Sequence, residues 1–217
     1  MLTVAGSDRR AERLGMVEEQ LRARGVRHEG VLHAMSEVPR QEFVAEPYRF
    51  AAYEDRPLPI GYGQTVSQPY MVAVMTVALR PGPEDRVLEV GTGSGYQAAV
   101  LAQLVREVVT FEWVPELAER ARATLQRLGV EGVEGRVGDG SLSAGGEPFD
   151  GIIVTAGAAE IPAPLVDQLA PGGRLVMPVG SPRRQVLTVV QRTTGGLREE
   201  QREDCVFVPL QGAYGWT

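Results

Sequence analysis

Arg86-Val87-Leu88-Glu89-Val90-Gly91-Thr92-Gly93-Ser94-Gly95-Tyr96-Gln97-Ala98-Ala99-Val100-Leu101 decides the fold class of this chain. The Val and Leu content of Arg86–Val90 predicts a buried strand, Gly91–Gly95 a tight turn, and Tyr96–Leu104 a helix. A strand, a glycine turn and a helix in that order mark the crevice where an open α/β sheet binds its ligand. Glycines at such a turn adopt unusual dihedrals and let a ligand lie against bare backbone. A dinucleotide fingerprint needs its third glycine three residues after the second. That position here is Tyr96, and the third glycine comes at Gly95. A nicotinamide dehydrogenase is therefore disfavoured.

Downstream the alternation continues. Val108–Phe111 reads as a second strand ending at Glu112, 17 residues after Gly95. Such folds place an acid at close to that spacing, where its carboxylate accepts from both ribose hydroxyls. Pro115 suits a first helical turn, and the helix it opens is predicted to run to Leu128. Gly135–Val137, the very apolar Gly151–Val154 and Arg174–Val179 read as further strands, with a helix over Ile161–Leu169. Val186–Gln191 and Val206–Leu210 read as late strands. Strands alternating with helices predict an α/β fold with a doubly wound, mostly parallel sheet. Upstream, Leu14, Val17 and Leu21 have helical spacing within Asp8–Arg24, and Gly25 suits the stop. Gly30–Ser36 predicts a second short helix. Pro57–Pro69 is too rich in proline and glycine to be one regular element, and a helix follows over Tyr70–Leu79.

The G-x-G-x-G form, with Glu89 two residues before Gly91, resembles the S-adenosylmethionine-dependent methyltransferases. The resemblance implies a Rossmann-like domain in which Glu89, Gly91, Thr92 and Gly93 hold the cationic cofactor and Glu112 its ribose. It also implies that Asp139 and Gly140 lie near the adenine, although Asp-Gly is an ordinary turn as well. Leu58-Pro59-Ile60-Gly61-Tyr62-Gly63-Gln64-Thr65-Val66-Ser67-Gln68-Pro69-Tyr70 is longer and more specific. It resembles the signature of the protein-L-isoaspartate O-methyltransferases. The likeness extends to Val38-Pro39-Arg40-Gln41-Glu42-Phe43-Val44, to Ile153-Val154-Thr155-Ala156 and to Gln168–Val176. It implies methyl transfer from S-adenosylmethionine, leaving S-adenosylhomocysteine, to isoaspartyl residues of damaged proteins and peptides. Ser67 is then expected at the catalytic centre, with Thr65, Val66, Gln68 and Thr155 holding the peptide. Gly157, where alanine is common in the family, and the bulky Trp113 depart from the pattern. Both are expected beside the site rather than in it.

Composition bounds the alternatives. The 217 residues carry a net charge of -6, which argues against a nucleic-acid partner. Two histidines and one cysteine offer no metal cluster and no internal disulfide. Without a long apolar run or a signal-peptide core, neither a membrane span nor secretion is expected, and a cytoplasmic location is. The expected organisation is one domain over 1–217. Residues 1–80 form an N-terminal helical extension with the substrate loop, and 81–217 form the cofactor-binding core. A carboxylate acceptor is already ionised at neutral pH. The reaction then needs no general base, and His28 and His33 are expected to be structural. A small-molecule methyltransferase and a non-catalytic binding platform remain open as alternatives. Asp139-Gly140 and Asp150-Gly151 are expected to be flexible sites at which the chain's own aspartates isomerise.

Overall fold

Every residue of β3 (Arg86–Val90) is buried, as a strand covered on both faces must be. In the computed structural model, which describes residues 9–142 and 144–216, β3 is the third strand of a seven-stranded sheet. Its neighbours are β4 (Glu107–Glu112) and β6 (Phe149–Val154), both parallel to it. Beyond β4 lies β5 (Val133–Val137), and beyond β6 lies β7 (Leu169–Ser181), again parallel. β8 (Arg184–Thr193) and β9 (Gly196–Cys205) close that side as an antiparallel meander. The chain runs outward from β3 in both directions, so the crevice opens at the C-terminal ends of β3, β4 and β6.

The helices follow the apolar periodicity. α4 (Tyr96–Leu101) is buried throughout and is capped at its start by Gly95 in the left-handed region. α5 (Pro115–Leu128) buries Leu117, Ala121, Leu125 and Leu128, a stripe at helical spacing, and ends at Gly129. α6 (Ala163–Asp167) is shorter than predicted, because Leu169 already pairs with Phe149 and begins β7.

The N-terminal region packs onto this core. α1 (Arg10–Gly15) continues into a π-helical stretch, Met16–Arg22, closed by Ala23 N–H to Glu18 C=O. Asp8, the predicted helix start, lies outside the described residues. α2 (Glu29–Glu37) is opened by His28, whose Nδ1 accepts from Val31 N–H, and His33 is exposed. The Pro57–Pro69 stretch holds a hairpin of β1 (Leu58–Gly61) and β2 (Gln64–Val66), and α3 (Pro69–Leu79) follows it. Met16, Leu21, Leu32 and Met35 share one apolar cluster with Tyr96, Val100, Leu117 and Leu128.

Two expectations fail here. The last strand is Gly196–Cys205 rather than Val206–Leu210. Its residues are exposed and mostly charged, so apolar patterning misses it, and its charges protect a sheet edge. The apolar Val206–Leu210 crosses the end of the sheet instead. There Gly157 N–H donates to Val208 C=O and Leu210 N–H to Gly157 C=O. Asp150-Gly151 is not a flexible turn either. It lies inside β6, with Asp150 Oδ2 accepting from Arg86 N–H at 2.9 Å.

Candidate active site

Gly91 leaves β3 with φ of +100°, in the region that favours glycine. Its N–H and that of Thr92 both donate to Phe111 C=O at the end of β4. A side chain at Gly91 would place its Cβ 2.4 Å from Thr155 Oγ1. The Thr155 hydroxyl uses that space to donate to Gly91 C=O at 2.7 Å, which ties the end of β6 to the glycine turn. Gly140 is needed for space rather than for its dihedrals. A Cβ there would sit 2.7 Å from Phe111 Cβ and 2.9 Å from Val90 Cγ1.

The glycine turn forms one wall of a cavity of about 70 Å³. Gly91, Thr92 and Gly93 line it, with Glu112 on the β4 side and Gly138 and Gly140 beyond. Glu112 is 6% exposed. Its Oε2 accepts from Gly93 N–H at 2.7 Å and its Oε1 from Val114 N–H at 3.0 Å. Each oxygen keeps a further lone pair, so the carboxylate braces the turn and can still accept from a ligand diol.

Glu89 does not reach the cavity wall. It is fully buried beneath the turn, where its Oε2 accepts from Thr110 Oγ1 at 2.5 Å. Thr110 in turn meets the Thr92 hydroxyl at 2.6 Å, and Thr92 lines the cavity. Glu89 Oε1 has no hydrogen-bond partner. Burial pushes the Glu89 carboxyl up to about 8; the Thr110 hydroxyl opposes the rise and the Glu112 charge adds to it. A buried, partnerless carboxylate oxygen under a positive-φ glycine turn suits a ligand that carries positive charge. These residues fit S-adenosylmethionine.

Asp139 also points elsewhere. Its Oδ1 accepts from Ser141 N–H and Oγ–H, and its Oδ2 from Ala213 N–H at 2.7 Å. The carboxylate thus latches the C-terminal segment, which itself lines the cavity through Val208–Gln211. Trp216 Nε1 ties the same segment to Gly180 C=O at 3.0 Å.

The opposite wall comes from the β1–β2 hairpin. Thr65, Val66 and Ser67 line the same cavity, and Thr155 and Ala156 close it from β6. The Ser67 hydroxyl has no protein partner among the described residues, while the Ser67 carbonyl accepts from Arg40 Nη2 at 2.7 Å. Arg40 is fully buried, donates from Nε to Ala52 C=O and lies 4.8 Å from the Tyr96 ring centroid. Gln68 turns away from the cavity. Its Nε2 donates to the Asp55 carboxylate at 2.8 Å, and Asp55 also accepts from Tyr70 N–H at the start of α3.

Sequence reading misjudged Trp113. It lines the cavity and is 48% exposed at the mouth, so it is part of the site rather than beside it. Gly157 has a packing reason: a Cβ there would fall 2.6 Å from the side chain of the buried Gln185. Arg40 and Val208–Gln211 gave no local signal for a site, because only the tertiary fold brings them to it. Among the described residues no group of His, Cys, Asp and Glu is arranged to hold a metal. Nor is any helix there long and apolar enough to cross a membrane.

Known proteins share this arrangement. The family model described as protein-L-isoaspartate(D-aspartate) O-methyltransferase matches residues 12–215. A protein-L-isoaspartate O-methyltransferase of Methanoregula boonei is 54% identical over 209 residues, covering 94% of this chain and 95% of the relative. A solved protein-L-isoaspartate O-methyltransferase superposes with a TM-score of 0.82 at 29% identity, over 95% of this chain and 67% of that one. A Plasmodium falciparum beta-aspartate methyltransferase, solved with S-adenosyl-L-homocysteine, gives 0.78 at 26% identity over 92% and 98% of the two chains. With the glycine turn, the hairpin wall and this likeness over nearly its whole length, the chain belongs to the protein-L-isoaspartate(D-aspartate) O-methyltransferase family.

Proposed function

We propose that the cavity between the glycine turn and the β1–β2 hairpin brings donor and acceptor together. The enzyme methylates isoaspartyl residues of damaged proteins with S-adenosylmethionine, a repair activity. The residue assignments below are our reading of how this chain does it. One observation carries them: Thr65–Ser67 and Gly91–Gly93 face each other across the same small cavity.

When bound, S-adenosylmethionine supplies a methyl group activated by a sulfonium. Gly91, Thr92 and Gly93 offer it bare backbone, and Glu112 accepts from its ribose diol. Glu89 acts from beneath through Thr110 and Thr92: protonated at neutral pH while the site is empty, it ionises as a counter-charge when the cationic ligand lies above it. Gly140 shapes the adenine side, and Asp139 serves that side indirectly by holding Ala213 and the C-terminal segment. The Ser67 hydroxyl, free of protein partners among the described residues, donates to the acceptor carboxylate and orients it; it is not a nucleophile. Thr65 and Val66 support the peptide beside it, and Thr155 contributes by fixing the turn. Gln68 acts as a positioning residue through Asp55.

The acceptor carboxylate arrives ionised, so no base is required. Catalysis rests on placement, which is worth roughly 7–11 kcal/mol in well-oriented reactions. The reading requires neither metal nor nucleic acid. It treats the chain as one domain, and the single Cys205 suits a cytoplasmic location. The backbone nitrogen of the next residue attacks the carbonyl of the methyl ester and expels methanol, which leaves more readily than an oxide from a carboxylate, giving a succinimide that water reopens.

The test uses labelled S-adenosylmethionine and two peptides differing only in isoaspartate against aspartate. Base-labile label should appear on the isoaspartyl peptide alone. Glu112→Ala should weaken cofactor binding by roughly tenfold to a hundredfold, the worth of a hydrogen bond or two to a charged group. Unchanged cofactor affinity in Glu112→Ala would remove Glu112 from the site while leaving the activity intact.

A further inference from the structure

The end of the sheet opposite the active site carries a second cavity, of about 80 Å³, lined by Arg80, Arg174, Val189, Gln191, Arg198 and Glu200. Register fixes its position. Arg174 on β7 pairs with Gly151 near the start of β6, whereas Thr155, at the active site, follows the end of β6. Arg174, Gln191 and Arg198 are successive cross-strand partners on β7, β8 and β9, so their side chains share one face. Arg80 arrives from the C-terminus of α3, which packs over that face.

Charge is out of balance there. Arg174 is 6% exposed, and its buried Nε has no hydrogen-bond partner. Neither Arg80, Arg174 nor Arg198 makes an ion pair among the described residues. The only carboxylate in the lining, Glu200, is engaged by Arg202 at 3.0 Å. Burial and the neighbouring Arg80 and Arg202 charges lower the Arg174 pKa from its usual value, with Glu200 opposing the shift. Arg80 also holds a left-handed backbone, φ 57° and ψ 55°, at a helix end where glycine is the usual residue. Three guanidiniums meet there against one carboxylate that Arg202 already engages, on a chain of net charge -6.

We propose that this cavity binds a tetrahedral oxyanion of the phosphate class. The Arg174 guanidinium forms the floor, and Arg80 and Arg198 close on the anion from the rim. Planar guanidiniums match such an anion in paired hydrogen bonds, which isolated ammonium groups do not. The volume holds a few waters or one such group. The bound anion pins the end of α3 to β7 and β9, so its binding stabilises the fold by mass action.

Thermal unfolding of the full chain with saturating S-adenosylmethionine tests the site. Sodium phosphate is titrated against sodium chloride at matched ionic strength. The expected result is a saturable rise in Tm with phosphate only. Arg80→Gln and Arg198→Gln, both exposed, should each weaken the apparent phosphate affinity by tenfold or more. Isoaspartyl methylation by these variants should remain as in the parent. Arg174→Met should abolish the response, and if it fails to fold the two rim variants still decide. Glycerol phosphate as a second arm separates the sources. Tighter binding than phosphate points to a phosphorylated metabolite, and equal or weaker binding to inorganic phosphate. An identical phosphate response in parent and rim variants, or none beyond chloride, overturns the proposal.

Discussion

The two loops that face each other across the active-site cavity are held by different means. Gly91–Gly95 is built from its own neighbourhood in the sheet. Its amides donate to Phe111 C=O, its carbonyl accepts from Thr155, and Gly93 N–H is taken by Glu112. Thr65–Gln68 is held by side chains from outside the seven-stranded sheet. Arg40 grips the Ser67 carbonyl from 27 residues away, and Asp55 grips Gln68 from 13. The cofactor wall is thus braced by groups at the ends of neighbouring strands, and the substrate wall by a buried cation and a carboxylate outside the sheet. A fault in the first should strike cofactor binding and stability together. A fault in the second should strike turnover of the peptide.

Gly91→Ala is the severest way to break that contrast. The substitution forces a side chain into a left-handed backbone and into contact with Thr155 Oγ1. Strain and overpacking together cost about 3–5 kcal/mol. Denaturant unfolding should show the loss, and isothermal titration should show cofactor binding gone. Native stability with normal cofactor affinity would mean that the turn tolerates a Cβ and is not held as described.

Arg40→Met probes the other wall. It leaves Ser67 C=O and Ala52 C=O without their donor, at about 2–3 kcal/mol, partly offset by relief of a buried charge. The informative reading is the split. kcat/KM for an isoaspartyl peptide should fall at least tenfold, while S-adenosylmethionine affinity stays within about threefold. Equal losses of both would show that the two walls are one mechanical unit, and the contrast would fall.

The same difference explains what could be read from sequence. β3, the glycine turn, Glu112 and α5 were legible because their determinants are local: an apolar run, glycines at fixed spacing, a proline in a first turn and a left-handed Gly129 at the end. Ser67 and the hairpin were legible only through a resemblance. Nothing in proline- and glycine-rich spacing says that a hydroxyl there faces a cofactor turn. Asp139 and Glu89 were legible as acids but not in their orientation. Ala213 and Thr110, which capture them, are brought to them by tertiary structure. β9 was hidden because an exposed edge strand carries no apolar signal, and Trp113 because exposure at a cavity mouth has no sequence period.

Glu89→Gln leaves the shape of the cofactor wall nearly intact, and it asks what that wall costs when no ligand is bound. Burial raises the Glu89 carboxyl from an ordinary value of 4.5 to about 8. Between those values the folded state holds a proton that the unfolded chain has released. Stability must therefore fall as pH rises from about 4.5 to about 8, and level off above. Glutamine removes the titration while nearly preserving shape. Parent and variant should be about equally stable near pH 4.5. The ligand-free variant should be more stable by up to about 5 kcal/mol at pH 8.5, since each pH unit between 4.5 and 8 widens the gap by about 1.4 kcal/mol. Urea unfolding at pH 5, 7 and 8.5 measures the divergence. Parallel profiles would show that Glu89 does not titrate in this range, and that the buried carboxylate imposes no such cost on the turn above it.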